Sequence, residues 1–360
     1  MKNSLVCAML VSVMAVIADH PIFAATTTKP CCAEVSKPIL LAQSSSQFKF
    51  VKSLDNIQDG FLSFFLDPNR KYLGTASPKF TIYDWQSEQL ISRFPEGQIG
   101  SISRFGYATS VAMGPRWETM AVNDSNGTLA IYRPNTGELL HEVESFVTEE
   151  RAIVYINDKG NQRLFAGQKN GEIRAIDANT GRIAGFIKYA DSPVQELAID
   201  SDGNRFLAAR YLWHGVVVWD FSTDRKNPVL VIPFPALPYG GLSPSSIALN
   251  SNGSLLAIGF GNSDIIRLYS VKSGNVLYEF PPLGSIGVKN LKFSPDNRYL
   301  VSGHINEGFR VWDVKTKKLI QRVKGIGIGS DTVSQIEFSP DGTLLFTRNA
   351  NKISIWKLQN

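Results

Sequence analysis

Four histidines, His20, His141, His214 and His304, are the residues of this chain best suited to move a proton or hold a metal near neutral pH. A metal site needs several nitrogen, sulfur or oxygen ligands converging on one point. His20 lies in the apolar N-terminal segment, and no two histidines stand at a metal-binding spacing. His214 and His304 would meet only if a ring fold brought both to its axis, so no metal site is expected. Nucleophilic catalysis needs a nucleophile, a base and an orienting acid in contact. No Gly-x-Ser-x-Gly turn occurs, and Ser243-Pro244-Ser245-Ser246 reads as turn chemistry. Gly325-Ile326-Gly327-Ile328-Gly329-Ser330 looks like a phosphate cradle but leads into a strand-like run and lacks a terminal Lys-Ser/Thr pair. Glu149-Glu150 and the pair Asp55 and Asp59 read as exposed loop charges. No catalytic residue, metal ligand or cofactor is therefore assigned.

Residue types suited to binding are easier to find. Tyr, Trp and Arg dominate protein-binding hot spots, because they combine apolar area with a polar handle. Tyr211, Trp213, Phe234 and Tyr239, flanked by Arg210, fall in two neighbouring loop segments. Arg104, Phe105 and Tyr107 occupy another long connection. Our expectation is one aromatic recognition patch made of the first four. The alternative is that these rings pack on each other and cover the blade beneath them.

Seven short runs must position those loops. FTIYDW at Phe80, LAIYRP at Leu129, IRAIDA at Ile173, VVVWDF at Val216, IRLYSV at Ile266, FRVWDV at Phe309 and ISIWKL at Ile353 share one alternating pattern. Their large residues before the turn are Tyr83, Tyr132, Ile176, Trp219, Tyr269, Trp312 and Trp356, with successive spacings of 49, 44, 43, 50, 43 and 44. A period near 45 residues with four strand signals per unit predicts a propeller (about 40–45 residues per blade is usual). Upstream of each marker lie a first run such as VQELAI at Val194, an Asp- or Asn-containing turn, and a second run such as RFLAA at Arg205. Such turn residues accept the backbone angles of tight hairpins. The two stretched spacings predict long fourth-to-first-strand connections at 95–109 and 233–244.

The seventh unit lacks an outer strand, since the sequence ends just after its third. Phe48-Lys49-Phe50-Val51-Lys52-Ser53-Leu54 has the missing character. Pairing of 48–54 with the last blade would close the ring and remove an exposed edge. The expected fold is therefore all-β, a seven-bladed β-propeller of four-stranded antiparallel blades spanning 47–360.

The units resemble WD repeats. Phe293-Ser294-Pro295-Asp296 leading to Trp312-Asp313, Phe338-Ser339-Pro340-Asp341-Gly342 leading to Trp356, and Trp219-Asp220 carry the resemblance. It looks like a divergent, bacterial-type member, and it implies a rigid binding platform. The Gly-His pair that opens the family repeat is absent before every first strand; Gly303-His304 stands in a second strand instead. The family's His–Ser/Thr–Asp–Trp hydrogen-bond network should then not form in its usual shape, so blade stability should rest more on packing of Trp, Tyr, Ile and Val between blades.

Composition narrows the rest. Hydrophobic residues make up 43% and mean hydropathy is −0.06, which fits a folded chain rather than a disordered one. The charge of +5 and pI near 9.0 come from scattered lysines and arginines, without the dense patch that nucleic acid requires. Lys2, the apolar run Leu5–Ala18 and the small residues Ala24-Ala25 describe a secretory signal over 1–25. The run is short for a membrane span, which needs about 20 residues. Residues 26–46 read as a loose leader. Its adjacent Cys31 and Cys32 are poorly placed to pair with each other. They could serve in an intermolecular disulfide, capture a metal, or be inert. The leading expectation is an exported, periplasmic or extracellular, monomeric interaction scaffold that binds a protein or peptide partner on its loop face. It binds no nucleic acid and is not membrane-inserted after signal cleavage. The alternatives are a propeller enzyme acting on a small sugar or lactone, and a secreted effector binding host proteins.

Overall fold

The structure is a computed structural model describing residues 48–54, 63–67, 72–76, 80–94, 108–114, 116–124, 127–144, 151–158, 161–201, 205–223, 226–234, 242–324, 331–350 and 352–359. The signal, the leader with Cys31 and Cys32, and the Gly-rich 325–330 lie outside them. The described residues form seven four-stranded antiparallel sheets, each one blade of a propeller. Blade one is β2–β5 (Ser63–Leu66, Tyr72–Ala76, Phe80–Asp84, Gln89–Phe94), and blade two is β6–β9 (Ala108–Met113, Met120–Asp124, Thr128–Arg133, Glu138–Glu144). Blade three is β10–β13 (Ile153–Asp158, Asn161–Gly167, Glu172–Asp177, Ile183–Lys188). Blade four is β14–β17 (Val194–Ile199, Phe206–Tyr211, Gly215–Asp220, Leu230–Ile232). Blade five is β18–β21 (Pro244–Leu249, Leu255–Phe260, Ile266–Ser270, Val276–Phe280), and blade six is β22–β25 (Val288–Phe293, Tyr299–His304, Gly308–Asp313, Leu319–Val323). Blade seven joins β26 (Val333–Phe338), β27 (Leu344–Asn349) and β28 (Lys352–Leu358) to β1 (Phe48–Leu54). In each blade the four strands, taken from the axis outward, are called a to d.

Blade seven closes as its sequence pattern predicts. β1 pairs antiparallel with β28, from Phe48 opposite Leu358 to Leu54 opposite Ile353, with a bulge between Phe50 and Lys52. Lys52 Nζ reaches Gln86 O and Glu88 Oε1 of blade one, both at 3.0 Å. Phe48 N donates to Gln321 Oε1 of blade six at 3.0 Å, and Gln321 Nε2 returns a bond to Phe48 O at 2.8 Å.

Packing between blades replaces a single core. Seven clusters of buried hydrophobic residues each draw from two neighbouring blades, so every junction around the ring contains an apolar cluster. This follows from strand geometry, because alternate side chains point to opposite faces of a sheet and both faces of a blade are covered. Strand c of blade four, GVVVWD, is buried at all six positions. The c–d turns carry Gly137, Gly181 and Gly274 at φ near +70°. Glu88 and Lys317 hold the corresponding place in blades one and six at φ 61° and 63°, where a side chain has some strain to bear.

The Trp-centred network exists in blade six by another route. Trp312 Nε1 donates to Ser302 Oγ at 3.0 Å, Ser302 Oγ lies 2.8 Å from His304 Nε2, and His304 Nδ1 lies 3.0 Å from Asp264 Oδ1. The histidine comes from the end of strand b, and the aspartate from the b–c turn of blade five. The usual shape is absent, as expected, but stability here does not rest on packing alone. Blade seven keeps a shorter version, Trp356 Nε1 to Thr347 Oγ1 at 3.0 Å. Blade four has none: the buried Trp219 Nε1 has no partner among the described residues.

Candidate interaction face and central channel

The d–a connections and b–c turns share one face. Leu212 N of the blade-four b–c turn donates to Pro193 O at 2.9 Å. Gly261 N bonds Ser243 O at 3.0 Å in blade five, and Ile305 N bonds Gly287 O at 3.0 Å in blade six. In blades four to six the b–c turn is thus tied to the connection entering its own blade. A rigid base of this kind suits a recognition surface, because little side-chain or loop freedom is lost on binding.

Of the expected aromatic patch, Tyr211, Trp213 and Phe234 are described, and these three do not stand together on the surface. Trp213 is 52% exposed, with its backbone N donating to the buried Ser192 Oγ at 3.1 Å. Tyr211 is instead a core residue: its hydroxyl donates to Gly171 O at 3.2 Å, and burial pushes its pKa up. Phe234 packs edge-on against Phe260 with ring centroids 5.3 Å apart, within the junction of blades four and five. Arg210 is buried, with Nε 3.4 Å from Glu196 Oε2 and Nη1 3.2 Å from Pro244 O. Tyr239, Arg104, Phe105 and Tyr107 lie outside the described residues.

Other exposed residues lie on the same turn and on the connection bonded to it. Leu212 beside it is 42% exposed, and Tyr189, which follows strand d of blade three, is 40% exposed. The Tyr189 ring stands 6.0 Å from the Tyr211 ring, which links the two loops. Lys188 Nζ donates to Asp191 Oδ1 at 2.6 Å, holding that carboxyl below its ordinary value, with a smaller contribution from His214. The face therefore shows exposed apolar residues beside polar ones, the usual anatomy of an interface. Tyr189 was legible as an aromatic following an alternating run and preceding Asp191-Ser192-Pro193.

The a strands enclose a central channel of about 260 Å³. In blades two and four to seven the third residue of the a strand is polar (Ser110, Glu196, Ser246, Asn290 and Gln335). Glu196 accepts from Ile247 N at 3.1 Å, Ser246 from Leu291 N at 3.1 Å, and Gln335 from Phe64 N at 3.0 Å. Each side chain thus caps a backbone N–H of the next blade. The readable signal was a polar residue before each of Leu197, Ile247, Leu291 and Ile336. Arg151, just before strand a of blade three, crosses to blades five and six. Its Nη1 lies 3.2 Å from Ser246 Oγ and 3.3 Å from Lys289 O, and its Nη2 lies 3.1 Å from Ser245 O. Glu196 Oε1 neutralises it at 3.0 Å.

A buried charged group stands between blades five and six. Arg310 is fully buried, with Nη1 and Nη2 on Asp264 at 2.8 and 2.9 Å and Nε on Glu307 at 3.1 Å. Asp264 also accepts from Leu283 N at 2.6 Å and Ser285 N at 2.9 Å, pinning the connection into blade six. Burial works to raise its pKa, and hydrogen bonds from His304, Arg310 and Ser285 overcome that and hold it well below the carboxylate range. Burial lowers the pKa of His304, against an opposing bond to Asp264. Glu307 also accepts from Arg322 Nε, so two carboxylates face two guanidiniums, which marks the group as a structural latch. Among the described residues no group of three His, Cys, Asp or Glu could hold a metal ion.

Comparison with known proteins agrees with this geometry. Residues 277–313 match the family WD domain, G-beta repeat, running from strand d of blade five to Trp312-Asp313. The chain is 24% identical over 262 residues to WD repeat-containing protein 90 of Mus musculus, covering 68% of this chain and 14% of that protein. It is 24% identical over 255 residues to U3 small nucleolar RNA-associated protein 21 of Saccharomyces cerevisiae, covering 70% and 21%. With COMPASS component SWD2 of the same yeast it shares 21% identity over 267 residues, covering 70% and 76%. The match thus spans only about a seventh to a fifth of the first two relatives. The chain is a seven-bladed β-propeller that carries a match to the WD repeat at 277–313 and is similar to WD-repeat proteins.

Proposed function

We propose that this chain is an exported interaction platform that binds a protein or peptide partner through the loop face over blades three and four. WD-repeat propellers are typically binding scaffolds, and similarity to them supports the general reading. The observation that carries the site is the exposure of Tyr189, Leu212 and Trp213 on two loops locked together by backbone bonds. Aromatic residues held at the centre of a patch supply much of the energy of an interface, often about 2 kcal/mol or more each. Export rests on the pattern of residues 1–25 alone.

The test is affinity capture from the envelope and medium of the producing cell, using wild type beside Tyr189→Ala/Trp213→Ala. A partner recovered with wild type and lost with the double variant is the expected result. Both side chains are substantially exposed, so the variant should keep its melting temperature. Equal recovery by a folded variant would remove this patch from consideration.

A further inference from the structure

In six of the seven blades the c-strand residue just before the large marker is a buried branched aliphatic: Ile82, Ile131, Val218, Leu268, Val311 and Ile355. Each belongs to the cluster that joins its blade to the next. Blade three has Ala175 at this place, and it is only partly buried. Its cross-strand neighbour on β13 is Gly185. The equivalent neighbours are His141 in blade two, Tyr278 in blade five and Gln321 in blade six. Those three reach across to the following blade. His141 Nε2 donates to Asn179 O at 2.7 Å, Gln321 brackets the backbone of Phe48, and Tyr278 packs on the blade-five to blade-six cluster. A side chain starting at Gly185 would meet nothing within 4 Å. Blade three is thus short of two side chains where it faces blade four.

The space left is a pocket of about 220 Å³ between blade three and the c–d connection of blade four. A cavity of about 150 Å³ lined by aliphatic and aromatic residues accepts benzene, so this one has room for a ring and a short chain. Ile156, Ile173 and Ile187 give it an aliphatic wall, and Phe165 and Phe221 stack across the two blades with centroids 5.4 Å apart. Phe186 in the lining is 64% exposed, so the apolar surface runs out to solvent. The charged lining residues are Arg163 and Lys226, both cationic, with no carboxylate among the described lining residues. An apolar wall selects an apolar body, and cations select an anionic end. We propose that this pocket binds a small monocarboxylate with an alkyl or aryl body. The body would fill the space beside Ala175 and Gly185, with the carboxylate on Arg163 and Lys226. The site is on the outer rim of the ring, separate from the loop face, and requires no chemical turnover.

The test titrates the full chain with 3-phenylpropionate and octanoate by calorimetry, beside the neutral alcohols of the same two bodies. Saturable binding of at least one acid is expected, with its alcohol about tenfold or more weaker. Ala175→Ile gives blade three the kind of side chain the other blades carry. It should weaken the acid about tenfold or more while holding or raising the melting temperature, because it fills space. Arg163→Gln/Lys226→Gln should weaken the acid by a similar factor and leave the alcohol unchanged. This second variant keeps the test decisive if isoleucine overpacks the junction. The proposal is overturned if neither acid saturates by about 10 mM, which would leave the pocket to an apolar side chain of a partner protein. Equal affinity for acid and alcohol, or undiminished binding in the folded variants, would overturn it as well.

Discussion

Side chains of the same type do different work in this ring, depending on what their strand position meets. Trp312 and Trp356 end their indole N–H on a strand-b hydroxyl, while Trp219 is enclosed without such a partner. Trp213 stands in a turn and remains open to solvent. Sequence alone ranked Tyr211 with Trp213, since the two are neighbours in one loop-like stretch. Tyr211 is in fact the last residue of β15, and its ring turns inward. Membership of the strand decides between core and surface: β15 is buried on both faces through Tyr211, and the turn that follows leaves Leu212 and Trp213 open to solvent. The latch around Arg310 gives a residue-level prediction. Asp264→Asn would take one of two carboxylates from a guanidinium that has no exposed surface. Removing one partner of a buried pair destabilises far more than the pair's net worth, so the expected loss is about 3 kcal/mol. Urea unfolding would read it; a loss within error would mean that Glu307 alone suffices.

At the level of the element, β1 is the least local pairing in the fold. Its partners lie at the far end of the sequence, yet the pattern FKFVKSL together with the missing outer strand was enough to predict it. Phe48 is 1% exposed and packs with Tyr299 and Phe338, each at a ring separation of 6.0 Å. It thus touches blade six as well as blade seven. Phe48→Ala should cost about 3–5 kcal/mol, the range for a fully buried phenylalanine, and should expose the edge of β28. The expected readouts are a lower unfolding midpoint and concentration-dependent association. A change under about 1 kcal/mol would show that the ring does not depend on this closure.

The whole ring should respond to acid through its blade-five to blade-six latch. His304 has its pKa lowered from 6.5 by burial, so the folded chain holds it neutral where the unfolded chain protonates. Its contribution is fully present above that ordinary value and is lost as pH falls below it. Asp264, depressed from 3.8, adds a second loss at still lower pH, as the carboxylate of the unfolded chain takes up a proton. Melting temperature should therefore hold near neutrality, fall as pH drops below about 6.5, and fall again toward pH 4. His304→Gln should flatten the first step; an unchanged first step would assign it elsewhere.

Period, strand count, turn positions and the closing partner of blade seven all lay in the sequence, because each is a local pattern repeated or a single pattern left over. Hydrophobic alternation needs no distant information to mark a strand. The site needed the folded ring. Tyr189 meets Tyr211, Arg151 reaches Ser245 and Lys289, and Asp264 meets Arg310 only when separate blades are set side by side. Those encounters depend on register and on the angle between blades, and no local pattern encodes which side chain of one blade faces which of the next.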